Sequence, residues 1–240
     1  MNLKLNDRVK DYKEFDGNII DEMPLLIAEG RTPMSTAEVM QRRLDVLGST
    51  PEVEDAWWMN FFHTGDAVAY HPDGRIKVVL DSQIARELNP KSTLRNGALV
   101  LSDGMYEQMQ GEEFSRAAIE YIKYFDTPST VEQVLSNPIW RTLARDPKLL
   151  QEYATATFKE ATKFNNNKNM AVYRSSFKEV PNLRLWSLGG LNRDLSYAFA
   201  NISLDDADAN KCLVGVALFT LDNKALDDKV KLAFRDSSNQ

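Results

Sequence analysis

Residues 51–81 constrain the fold more than any other stretch, because a helix-start signal is followed at once by a hairpin signal. Two hydroxyl residues precede Pro51, and this order is typical of a helix N-terminus. The aromatic-rich run that follows predicts a short helix that ends at Gly65. The sequence His-Pro-Asp-Gly at residues 71–74 suits a tight turn between two strands. We therefore predict a helix that leads into a β-hairpin over residues 67–80.

Both histidines of the chain, His63 and His71, lie in this stretch together with Asp66 and Asp81. Imidazole and carboxylate groups are the acid–base groups of many hydrolases and also bind divalent transition metals. One interpretation is therefore a hydrolase-type site formed by these four residues, with or without a metal ion. The other is structural, with His63 at a helix C-terminus and His71 in a solvated turn. The helical H-x-x-x-H spacing of metal sites is absent, which favours the structural interpretation.

Composition places the chain among globular proteins with a sizeable core, since 43% of its 240 residues are hydrophobic and 27% are charged. The net charge of −6 argues against broad nucleic-acid binding, which needs a basic surface. No uninterrupted apolar run approaches roughly 18 residues, so no membrane span is predicted. Cys212 is the single cysteine and lies in an apolar run. It is interpreted as a buried hydrophobic residue in a reducing, cytoplasmic compartment.

A second clear local signal lies at Ser35 and Glu38, which have the spacing of a capping box. This signal predicts a helix that continues to Leu47. Its apolar residues form one stripe, and Arg42 and Arg43 are expected to face solvent.

Short apolar runs predict strands near both ends of the chain. Residues 23–28 and 212–219 are interpreted as buried strands, and residues 171–173 and 183–186 are compatible with a hairpin. Residues 105–164 have helical spacing throughout.

We predict an α+β fold in which N- and C-terminal β elements form a mixed or antiparallel sheet around a central helical block. A single domain over residues 1–240 is expected. The alternative is a division at the asparagine-rich residues 165–169.

No motif that defines a reaction is present, no cofactor is expected, and the sequence leaves open whether the chain is an enzyme. Trp58, Tyr70 and Trp186 are interpreted as exposed aromatic residues, which commonly anchor protein interfaces. They favour a non-catalytic binding or assembly protein that uses an aromatic surface around residues 57–81. It would take a protein partner or associate with itself.

An alternative binding interpretation concerns residues 189–193. A glycine pair followed by Arg193 is compatible with an anion site, provided that the loop lies at a helix N-terminus. The spacing matches no established phosphate-binding motif.

Overall fold

The computed structural model describes residues 12–121, 130–162, 170–175, 179–191, 197–206 and 211–217. The helices of these residues are α1 (Ile19–Ala28), α2 (Thr36–Asp45), α3 (Pro51–Trp58), α4 (Gln83–Arg86), α5 (Asp103–Gln108), α6 (Arg116–Tyr121), α7 (Val131–Ser136), α8 (Pro138–Ala144) and α9 (Pro147–Thr162). The strands are β1 (Tyr12–Asp16), β2 (Arg31–Pro33), β3 (Phe61–Tyr70), β4 (Ile76–Val79), β5 (Leu94–Arg95), β6 (Ala98–Val100), β7 (Glu112–Phe114), β8 (Val172–Arg174), β9 (Asn182–Leu188), β10 (Ala198–Ala200) and β11 (Lys211–Ala217).

The strands form one mixed sheet, which confirms the predicted α+β class. Its central order is β1-β11-β3-β9-β10-β8. β11 runs antiparallel to β1 and parallel to β3, so the N-terminal and C-terminal β elements are adjacent as predicted. β9 pairs with β3, β6 and β10, and β4 extends the sheet from β3 to β7.

The predicted hairpin is confirmed. β3 and β4 are antiparallel, and the amide of Gly74 donates to the carbonyl of His71 at 3.0 Å to close the turn. Gly74 has a φ of 93°, a left-handed conformation that glycine adopts readily. The preceding helix is shorter than predicted, because α3 ends at Trp58 and β3 begins at Phe61. Gly65 therefore lies within a strand rather than at a helix end.

Residues 23–28 are helical, so their interpretation as a strand is wrong. They belong to α1, whose first turn is capped by the side chain of Asn18, an acceptor for the amide of Asp21 at 2.9 Å. Pro24 lies inside α1, where it has no N–H to donate to the carbonyl of Ile20 one turn earlier. The Ser35–Glu38 capping box is confirmed at the start of α2.

The other β elements were predicted in part. β8 and β9 do not form a hairpin with each other, because both pair with β10, which lies between them. The region predicted to be helical throughout contains the strand β7. β11 confirms the C-terminal buried strand.

Both faces of the sheet are covered, and side chains of β3 alternate between two cores. Val68 and Tyr70 point into the core formed with α2, α3 and α7–α9. Ala67 and Ala69 point into the core formed with α1, α4 and α5. A strand buried on both faces lacks the alternation between apolar and polar residues that marks an exposed face.

No helix among the described residues has the length and apolar character that a membrane crossing requires. Residues 165–169 lie outside the described residues, so the single domain and its alternative remain predictions.

Candidate functional site

The predicted exposure of Trp58, Tyr70 and Trp186 is wrong, because their exposed fractions are 2%, 3% and 0%. The reason is that the helices cover the sheet face to which Tyr70 and Trp186 point. Trp58 stacks on Tyr153 of α9 at 5.8 Å, and its indole N–H donates to the carbonyl of Arg43 at 2.8 Å. These rings stabilise the core and present no surface to a partner in this conformation.

Tyr70 joins the ends of two neighbouring strands through its hydroxyl group. The hydroxyl donates to the carbonyl of Ala200 at 2.8 Å and accepts from the amide of Ser175 at 3.0 Å. Burial raises the pKa of Tyr70 well above its usual value, so the group stays a neutral donor.

Replacement of Tyr70 by phenylalanine is expected to lower the free energy of unfolding by about 1–3 kcal/mol, because it leaves a buried carbonyl and a partly buried amide without this partner. Urea denaturation measures the change. The matched control is Tyr173→Phe, whose side chain is 42% exposed and which we expect to stay within about 0.5 kcal/mol of the wild type. Equal stability of the two variants would contradict the role assigned to the Tyr70 hydroxyl.

The two histidines lie at opposite ends of β3, so they do not form one site. At about 3.3 Å per residue, the eight residues from His63 to His71 span about 26 Å along an extended strand, far beyond the reach of a shared metal ion. His63 is 1% exposed, and its Nδ1 lies 2.8 Å from the hydroxyl of Ser187. His71 lies beside the turn, with its Nδ1 2.8 Å from a carboxylate oxygen of Asp73.

Asp66 and Asp81 do come together, but around an arginine. The guanidinium of Arg145 donates to both carboxylates at 2.7 Å. Asp66 is fully buried and also accepts from the amides of Thr36 at 2.7 Å and Asp81 at 3.0 Å. These bonds join α2, the end of the hairpin and the connection between α8 and α9. The four residues of the alternative, hydrolase-type interpretation, His63, Asp66, His71 and Asp81, therefore do not converge on one site.

Glu14, Asp16 and Cys212 bring three potential metal-ligand atoms within 4.8 Å of one another. Asp16 lies directly opposite Cys212 in the pairing of β1 with β11. Burial raises the pKa of the Cys212 thiol well above its usual value, and the two carboxylates act in the same direction. The thiol thus stays protonated, which fits the prediction of a buried, unreactive cysteine better than a nucleophile.

One face of the sheet carries a group of aromatic residues that was not predicted from the sequence. This aromatic row comprises Phe61 of β3, Phe199 of β10, Tyr173 of β8 and the adjacent Tyr197. Phe61 and Phe199 are 5.0 Å apart, and Phe199 stacks on Tyr173 at 5.3 Å with an interplanar angle of 11°. Tyr197 contacts Tyr173 at 4.8 Å and Phe199 at 5.5 Å. Tyr173 is 42% exposed.

Strand register explains why these rings meet. His63 is opposite Ser187, Ser187 is opposite Phe199, and Phe199 is opposite Tyr173, so these positions share one face of the sheet. Phe61 lies two residues before His63 and therefore on the same face, which brings rings of three strands together. The alternation of aromatic and small residues from Tyr197 to Ala200 was the available sequence signal. Arg193, the predicted anion-binding residue, lies outside the described residues and remains a prediction.

No protein-family model and no curated protein matches the chain. A solved structure from work on the "accommodation of massive sequence variation in Nanoarchaeota by the C-type lectin fold" is similar in structure, with a TM-score of 0.61 and 15% sequence identity. The match covers 85% of this chain and 97% of that one. At this identity the likeness shows the fold alone, and the chain has the fold of that C-type lectin protein.

Proposed function

We propose that this chain is a non-catalytic binding protein that takes up a protein partner through the aromatic row. The observation that carries the proposal is the continuous contact of four rings across three strands, with Tyr173 exposed at one end. Aromatic side chains bury a large apolar area and have few rotatable bonds, and they are enriched among the residues that dominate interface energies.

The rings are also held in place before any partner arrives. Tyr197 is 6% exposed and packs edge-to-face against both Tyr173 and Phe199. Phe61 supports the far side of Phe199. A surface that is already ordered loses little side-chain entropy on binding, so more of its contact energy contributes to affinity.

The binding surface proposed here lies on the face of the sheet opposite to Trp58, Tyr70 and Trp186, the residues predicted from the sequence. Arg193 is proposed to contribute as well, since it precedes Tyr197 by four residues in the sequence. The similar structure supports the assignment in one respect: for that protein, the fold is described as accommodating massive sequence variation. A scaffold of this kind allows recognition to reside in surface residues while the core is kept.

We expect Tyr173→Ala to weaken partner binding by about 10–30-fold, the usual effect of removing an aromatic residue that dominates an interface. To identify the partner, a photo-crosslinking amino acid is placed at Tyr173, and adducts formed in the source cells are identified by mass spectrometry. Binding of the purified partner to wild type and Tyr173→Ala is then measured by calorimetry. An adduct with a second copy would assign the row to self-association, which light scattering checks.

The matched control is Met105, an apolar residue that is 43% exposed in α5. Crosslinks from position 105 should not give the same adduct, and Met105→Ala should leave the affinity unchanged. Identical adducts from both positions, or equal affinity of Tyr173→Ala and the wild type, would contradict the proposal.

A further inference from the structure

Arg42 is a largely buried cation that packs against two aromatic rings. It is 7% exposed, and its guanidinium carbon lies 5.1 Å from the ring centre of Tyr12 and 5.3 Å from that of Trp57. Its Nε is shielded from solvent and makes no hydrogen bond within the part of the chain that the structure describes. Arg42 was predicted to face solvent, and its burial corrects that prediction.

The adjacent residue shows how unusual this is. Arg43 is fully buried, but its Nε donates to the carbonyl of Trp57 at 2.9 Å and its Nη1 donates to the hydroxyl of Tyr153 at 2.8 Å. A buried guanidinium normally has such acceptors, because loss of hydration is otherwise uncompensated. The aromatic faces around Arg42 attract its positive charge. They do not accept hydrogen bonds from its N–H groups, which lie in the plane of the guanidinium.

A second buried donor lies on the neighbouring side chain. Trp57 is 1% exposed, and its indole N–H has no hydrogen-bonding partner. Two side chains in contact thus hold N–H donors, while the described residues supply an acceptor to neither. Buried donors without acceptors are uncommon in native proteins and call for a specific explanation.

We propose that Arg42 and Trp57 form a binding site for an oxyanion, namely the carboxylate or phosphate group of a ligand. The planar guanidinium matches the two oxygens of such a group, and charge-assisted hydrogen bonds of this kind are among the strongest in proteins. The site is separate from the aromatic row, since Trp57 packs on the opposite face of the sheet.

Two carboxylates restrict the choice of ligand. Glu14 and Asp16 lie on the same strand as Tyr12 at alternate positions, and therefore on the same face of β1. Their negative charge disfavours a dianion more than a monoanion, so the site should prefer a carboxylate to phosphate.

The test is an NMR titration that follows the indole N–H signals of the four tryptophans. Sodium acetate and inorganic phosphate are added separately to the full chain at constant ionic strength, and Trp57→Phe assigns the signal of Trp57. We expect that signal to shift and saturate while the other three stay in place. Half-saturation should come at a lower concentration with acetate, and the reverse order would assign the site to phosphoryl ligands.

Three variants distinguish specific binding at Arg42 from a general effect of added salt. Arg42→Gln should abolish the saturable shift, and Arg42→Lys should raise the half-saturating concentration at least about tenfold, because the fork of two parallel donors is lost. Arg141→Gln, which removes an exposed arginine, should leave the titration unchanged. Unperturbed signals of the other tryptophans show that each variant is folded. A shift that never saturates, or one that persists in Arg42→Gln, would overturn the proposal.

Discussion

Replacing Asp66 by alanine is expected to lower the free energy of unfolding by about 3–5 kcal/mol, the usual effect of removing one member of a buried charged network. The carboxylate is fully buried and accepts from Arg145 and from the backbone amides of Thr36 and Asp81. The alanine variant leaves both amides without an acceptor, and Arg145 loses its buried partner. Because these groups are left without a partner, the loss of stability is larger than that caused by removing a surface ion pair.

Asp81→Asn is the matched control, because Asp81 binds the same arginine from a side chain that is 47% exposed. Its replacement should cost no more than about 1 kcal/mol. Denaturant unfolding of the two variants, with the slope of each transition compared to the wild type, measures the difference. Similar losses for Asp66→Ala and Asp81→Asn would show that the buried bonds contribute little.

Arg43→Ala is expected to be similarly destabilising, by about 3–5 kcal/mol, since it creates a cavity and leaves buried acceptors unpaired. The guanidinium of Arg43 joins three parts of the chain: the end of α3, the start of β3 and α9. It donates to the carbonyls of Trp57 and Asn60, each at 2.9 Å, and to the hydroxyl of Tyr153 at 2.8 Å. Lysine cannot reproduce this planar set of donors, so Arg43→Lys should recover only part of the loss.

Calorimetric unfolding of Arg43→Ala, Arg43→Lys and Arg141→Ala provides the comparison. Arg141 is an exposed arginine of the neighbouring helix α8, and its replacement should change stability by less than about 0.5 kcal/mol. A lysine variant as stable as the wild type would mean that charge, rather than the geometry of the donors, is what the core requires at this position.

The sequence predicted the features that depend on neighbouring residues. The turn at residues 71–74 formed because proline, aspartate and glycine each suit the backbone conformation of their position. The Ser35–Glu38 capping box formed for the same reason, since both partners lie within one helical turn. The strand β11 was predicted, over residues 212–219, from an apolar run long enough to cross a buried sheet.

Two predictions were wrong where a short apolar run suits either a helix or a strand. Residues 23–28 are apolar at almost every position, so their spacing did not distinguish a buried strand from the helix α1. Phe61 and Phe62 suited the predicted continuation of α3, but pairing with β9 and β11 places them in β3. For Phe61 and Phe62 the choice depended on strands more than 100 positions away in the sequence.

The sequence by itself determined the α+β class, the hairpin and the helix caps, because hydrogen bonds and backbone preferences between near neighbours are sufficient for them. The tertiary structure decided which aromatic residues are exposed. A strand directs alternate side chains to opposite faces, but only the placement of the helices determines which face is covered. Trp58, Tyr70 and Trp186 were therefore buried, while Tyr173 remained exposed beside rings brought together by the register of three separate strands.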